Sequence, residues 1–301
     1  MSGPVKLKSS AIELKNHSYG KSRVRLVKVE RCGYRHDLRD ISVDIQLFGA
    51  FDAAYWDGDN RLILPTDSMK NTIYVLARQG RMGEIEEFGL RLADHFLLHN
   101  SQVSRAKLII SENVWQRVDR DGSPHDHTFQ LSGQESRAAA IDQDRIKASV
   151  KAIIKDMVVM KTARSAFEHF LRDEYTTLKG TRDRLLWTTV RAEWSYNSRI
   201  QNFGESWRDV RTTLMNVFAD HDSHSVQHTL CSMGEAVLQR FDSIDDIRLS
   251  MPNHHCLLVD LSPFNLDNPN EVFVPTEEPT GLIEAILGRS GANGTSSVRA
   301  L

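Results

Sequence analysis

A chain of 301 residues with 40% hydrophobic and 26% charged side chains is an ordinary soluble globular protein by composition, long enough for one large domain or two of usual size. Its formal charge of −2 leaves no basic footprint for nucleic acid, and no apolar run reaches the roughly 18 residues a membrane-spanning helix needs. Cys32, Cys231 and Cys256 form an odd, widely spaced set, which implies free thiols in a reducing compartment and no disulfide framework.

Residues 1–18 are polar, lack the apolar core of a secretory signal and read as a tail, as do residues 290–301. The expected location is cytoplasmic. Residues 23–31 and 40–48 read as strands. In the second, Ile41, Val43, Ile45 and Leu47 alternate with Ser42, Asp44 and Gln46, the period of a half-buried strand. Helices follow over 68–79 and 83–99, where Ile85, Phe88, Leu92 and Phe96 share one face. Residues 106–117 and 127–131 read as strands, with a polar loop over 117–123 between them.

The same order then recurs, with strands over 146–161 and 184–196, helices over 207–219 and 225–240, and strands over 245–249 and 255–261. Leu186, Val190, Ala192, Trp194 and Tyr196 fall on one face of their strand, and Val226, Leu230, Met233 and Val237 make an apolar helical stripe. Strand pairs alternating with helix pairs predict an α+β fold with an antiparallel sheet and helices on one face. The pattern divides into two ββααββ units meeting near residues 134–144.

No Gly-x-Gly-x-x-Gly follows a strand, and no Gly-rich phosphate loop precedes a Lys-Ser or Lys-Thr pair, so no nucleotide cofactor is expected. His221, His224 and His228 are spaced to share a helical face, but neither a catalytic glutamate nor a Cys pair accompanies them, and no metal is expected. Leu64 to Tyr74, reading LPTDSMKNTIY, opens with a proline and three residues, Thr66, Asp67 and Ser68, each able to cap a helix beginning near Ser68. By local chemistry alone, Arg184 after Asp183 has the form of a surface ion pair, Gln227 of a solvated helix-start residue and Phe167 of a core residue.

The run Thr66-Asp67-Ser68-Met69-Lys70-Asn71-Thr72 resembles one carried by the urate oxidase (uricase) family. Further blocks match in order. They are Tyr19-Gly20-Lys21, FLRDEYTTLKGTRDR from Phe170 to Arg184, Ser225-Val226-Gln227, Leu249 to His255 (LSMPNHH), Asn268 to Phe273 and Gly281-Leu282-Ile283. The likeness spans about residues 19 to 289. It implies two tandem tunnelling-fold (T-fold) domains, over 19–140 and 141–289, whose sheets join into a barrel in a homotetramer.

The resemblance also implies an activity, the cofactor-free oxidation of urate by dioxygen and water to 5-hydroxyisourate and hydrogen peroxide. Arg184 and Gln227 then clamp urate and Phe167 stacks on it, with backbone amides near Thr66, Asp67 and Val226 adding contacts. Lys21, Thr66 and His255 relay a proton, and Asn253 positions dioxygen or water above the ring. The sites are expected to be shared between subunits, with urate and dioxygen as the partners. His125 and His127 look like the family's His-x-His, with a structural or interface role. Gly180 stands where many relatives have Glu, and Pro65 where Ala is common. The C-terminal Val298-Arg299-Ala300-Leu301 lacks a Ser-Lys-Leu peroxisomal address. Two other functions compete. Another T-fold enzyme acting on a purine or pterin requires metal-ligand Cys and His positions that are not found. A non-catalytic purine-binding relative is expected to have lost Lys21, Thr66, Asn253 or His255, and all four are present.

Overall fold

The computed structural model of the chain describes residues 12–197 and 202–289, so most of the first tail and all of the second lie outside the described residues. An antiparallel pair opens the fold, β1 (Tyr19–Cys32) and β2 (Arg35–Gly49), followed by the short α1 (Asp52–Trp56) and by α2 (Thr66–Gln79) and α3 (Ile85–His99). The long hairpin β3 (Val103–Arg120) and β4 (Ser123–Asp144) completes the first unit. The second runs through β5 (Ala148–Lys161), β6 (Leu186–Tyr196), α4 (Phe203–Asp220), α5 (Val226–Arg240), β7 (Ile244–Ser250) and β8 (Asn253–Leu258). Two closing strands, β9 (Phe273–Gly281) and β10 (Glu284–Gly288), pair with β8 and β7.

Every strand pairing is antiparallel, and the main sheet runs β1-β2-β3-β4-β5-β6-β7-β10. The predicted faces hold. Ile41, Val43, Ile45 and Leu47 are buried with Ile85, Phe88, Leu92 and Phe96 in one core. Leu186, Val190, Ala192, Trp194 and Tyr196 are buried with Val226, Leu230, Met233 and Val237 in another. Ala139 of the first core is directly paired with Ala152 of the second, and paired residues point to the same side of a sheet. The helices of both units therefore cover one face.

Two readings need correction. Residues 117–123 are not a loop, because β3 runs to Arg120 and β4 starts at Ser123. Asp121 (φ 55) and Gly122 (φ 81) form the whole turn, and two consecutive positive φ values are what a two-residue hairpin of matching twist requires. Residues 134–144 are not a seam between units. They are the second half of β4, with Ala138, Ala139 and Ile141 in the interior, and the chain turns only at 145–147.

Charges close the contact between the units. Arg137 on β4 meets Glu84 and Glu86 at 2.6 Å each and Glu112 at 3.8 Å, while Arg39 meets Glu112 at 2.7 Å and Glu84 at 3.1 Å. From the second unit, the Trp207 ring lies 5.6 Å from the Arg137 guanidinium, and Arg211 bonds Glu135 at 2.5 Å. Gly204 lies so close that an added Cβ would stand 2.3 Å from Glu84 Oε1. Three carboxyls thus share two guanidiniums. Glu86 is fully buried, and burial outweighs the attraction of Arg137 and pushes its carboxyl up to about 7.

A carboxyl raised by folding leaves stability intact below its unfolded pKa and removes it as pH rises through the folded value. Glu86→Gln keeps an acceptor for Arg137 and cannot ionise. Its melting temperature should match the native protein near pH 4 and exceed it at pH 8 to 9, where ionising Glu86 costs up to about 3 kcal/mol. Equal melting temperatures across that range, measured by calorimetry, would show that Glu86 ionises freely.

Candidate active site

Two groups of side chains, one in each unit, carry the residues singled out by the sequence. The first gathers at the start of α2. Tyr19 on β1 accepts the Leu64 amide at 2.8 Å, which ties the approach to α2 against the strand that bears Lys21. Pro65 occupies the capping position with φ −56 and ψ 139, and no side chain caps the helix. The expected capping by Thr66, Asp67 or Ser68 therefore does not occur. Proline's fixed φ starts the helix at Thr66 itself, two residues early, and leaves first-turn amides without side-chain partners. Asp67 turns along the helix to Lys70 at 2.5 Å and Asn71 at 3.0 Å. The hydrogen bond and charge of Lys70 hold the Asp67 carboxyl below its usual range, with Asn71 and the nearby Lys21 adding to the effect.

The second group is assembled by backbone bonds between three loops. Ser165 accepts the Arg184 amide at 2.9 Å, and Phe167 exchanges two bonds with Thr181 at 2.7 and 2.9 Å. The Ala166 amide donates to Ser223 at 2.7 Å, and the Ser223 amide donates to Arg164 at 3.0 Å. Phe167, Arg184 and the first turn of α5, with Val226 and Gln227, are thereby held together. Ser225 caps α5 by accepting the His228 amide at 3.1 Å. The exposed Gln227 side chain makes no hydrogen bond among the described residues.

Arg184 is the anomaly of this group. Its guanidinium lies 5.2 Å from the centre of the Phe167 ring, and Phe167 stacks on Phe170 at 4.9 Å. No carboxylate of the described residues pairs with it, its Nε is buried without a partner, and burial alone lowers its pKa. The surface ion pair with Asp183 that local chemistry favours is not formed. Nearby, β8 starts beside the beginning of β6, with Asn253 opposite Thr188. Asn253 is buried, and its amide nitrogen lies 3.5 Å from Nδ1 of His255.

The structure joins Lys21, Thr66 and Asp67 on one side, and Phe167, Arg184, Val226 and Gln227 on the other, with Asn253 and His255 side by side. Among the described residues no hydrogen bond or ion pair links the first group to the rest.

The uricase family model matches residues 17–142 and 150–284, a span that contains all nine of these residues. The chain belongs to the uricase family. It is 41% identical over 281 residues to the uricase of Arthrobacter globiformis, covering 93% of this chain and 91% of that one. It is 36% identical over 279 residues to the uricase of Dictyostelium discoideum, covering 91% and 97%. A crystal structure of the Arthrobacter globiformis uricase matches with a TM-score of 0.90 at 40% identity, over 95% of this chain and 98% of the other. The α+β fold with tandem antiparallel units is that of uricase structures.

Other features stand apart from these groups. A cavity of about 500 Å³ is lined by Asp44, Lys107, Asp142, Lys151 and Glu193 and contains none of the nine residues. His221 and His228 approach to 3.2 Å between ring nitrogens, with the His224 ring 5.4 Å from that of His228. No group of three or more His, Cys, Asp or Glu among the described residues is arranged to hold a metal. His125 and His127 lie within β4, ring centres 4.7 Å apart. Gly180 has no left-handed φ, and a side chain there would crowd Cβ of Glu168 at 3.3 Å. The sequence reading missed Thr188, a polar residue inside the apolar row of β6. The interrupted alternation was its only signal.

Proposed function

We propose that the chain oxidises urate with dioxygen and water to 5-hydroxyisourate and hydrogen peroxide, with its sites completed between subunits of a homotetramer. Arg184 carries the reading. A half-buried guanidinium without a carboxylate among the described residues calls for a planar partner with two acceptors, and a urate anion offers a carbonyl oxygen and a ring nitrogen. Phe167 supplies a ring face to stack on, and Gln227 a donor and an acceptor for the opposite purine edge. The first-turn amides at Thr66 and Asp67, and at Val226 of α5, face negative charge favourably.

The chemistry balances without further redox groups. Urate loses a proton and gives two electrons to dioxygen, and one oxygen atom bonds to ring carbon five as a hydroperoxide. Hydrogen peroxide then leaves, and water adds at that carbon. In this scheme Lys21, Thr66 and His255 move the protons, and Asn253 with His255 holds the oxygen species above the ring. Thr66 and Lys21 come from one subunit, and the other groups come from its neighbour.

Aerobic turnover by protein dialysed against chelator tests this directly. Urate should disappear with one equivalent of peroxide formed, and loss of activity that a metal restores would contradict the scheme. Binding and chemistry should also separate. Arg184→Lys keeps charge without the fork and should raise KM at least about tenfold. Lys21→Met should lower kcat roughly tenfold to several-hundredfold, the scale of lost acid–base help, and an unchanged kcat across pH would remove lysine from the relay.

A further inference from the structure

The inner face of β6 is interrupted by a hydroxyl. Thr188 stands between Leu186 and Val190, fully buried, and its Oγ1 has no hydrogen-bond partner among the described residues. Valine has nearly the same shape and would leave no orphaned hydroxyl, so packing alone gives no reason for threonine here. Within the sheet Thr188 has four neighbours on this face. Leu186 and Val190 flank it along the strand, Val159 is paired with it on β5 and Asn253 on β8. Of these only Asn253 has a polar side chain. Opposed residues of antiparallel strands hold their Cβ atoms about 4.5–5.5 Å apart, within reach of a hydroxyl and an amide. Gly281 closes the far side of Asn253, with room for its Cβ position 3.7 Å from that of Asn253.

We propose that Thr188 is a positioning residue for Asn253. Its hydroxyl, unpaired among the described residues, donates to Asn253 Oδ1 in the completed site and so turns the amide nitrogen toward His255 and the reacting oxygen. An asparagine amide has nearly the same shape after rotation end for end, so packing does not choose its orientation, whereas a donor fixed on one side does. With Oδ1 engaged, Nδ2 has one proton for His255 Nδ1, 3.5 Å away, and one for dioxygen, peroxide or water. In the reversed orientation, a carbonyl oxygen would face the same electron-rich species. The inference rests on the urate-oxidising reading of the site.

Thr188→Val and Thr188→Ser, in the full chain, test it by melting temperature and by kcat and KM for urate. Thr188→Val should melt at or above the native temperature, keep KM within roughly twofold and lose about three- to tenfold in kcat, the scale of one hydrogen bond. Thr188→Ser should recover most of that kcat despite its missing methyl. If valine prevents folding, Thr188→Ala set against Thr188→Ser makes the same comparison. Native kcat in the hydroxyl-free variant overturns the role, and so does equal loss of melting temperature and kcat in both variants, as packing alone would give. A native protein that leaves urate unoxidised refutes the parent reading and this role with it. Native turnover with an unaffected valine variant refutes this role alone.

Discussion

Folding takes the guanidinium of Arg184 partly out of water with no carboxylate of the described residues to meet it, and the loops around it are bonded so that this state persists. The charge is tolerated because it lies over the Phe167 ring and because three backbone pairings fix the loops around it. Ser165 holds the Arg184 amide, Thr181 holds Phe167, and Ser223 holds the loop against the start of α5. Any slip in this clasp would separate the ring, the fork and the helix terminus that the proposed reading brings to one flat anion.

The contrast with Arg137 is instructive. Both arginines are withdrawn from solvent, but Arg137 is surrounded by Glu84, Glu86 and Glu112 and capped by Trp207. There the surplus is negative, and the protein answers it with a carboxyl whose ionisation is pushed up to about 7. At Arg184 the surplus is positive, with no carboxylate of the described residues to answer it. One cluster closes the contact between units, and the other is the charge that the proposed reading assigns to a urate anion.

Much of the fold could be read from side-chain periodicity. The alternation at Ile41–Leu47 and the helical faces of α3 and α5 are set by burial on one side only, so they leave a direct trace. The missing pieces have physical reasons. β9 carries Pro275 and Pro279 and pairs with β8 alone, so it lacks the alternation of an interior strand. The Asp121-Gly122 turn was present as a signal but sat in polar surroundings that resemble a loop. Pro65 displaced the cap that Thr66, Asp67 and Ser68 have the chemistry to supply. The family was legible through resemblance in several separate blocks. That Arg184 meets no carboxylate of the described residues, and that Thr188 lies opposite Asn253, depends on register between distant strands and loops, which no local pattern encodes.

A site divided between Lys21 and Thr66 in the first unit and Arg184, Gln227 and His255 in the second is the claim on which the account turns. Two chains meeting across a two-fold axis would complete two equivalent sites. Co-folding Thr66→Ala chains with Arg184→Ala chains, each nearly inactive alone, tests this most directly. In a mixed pair one site receives both lesions and the other neither. Random pairing makes about half of the pairs mixed, so roughly a quarter of native activity should return. No recovery at any mixing ratio, with both variants folded and assembled as the native protein is by light scattering, would mean that each site is built within one chain.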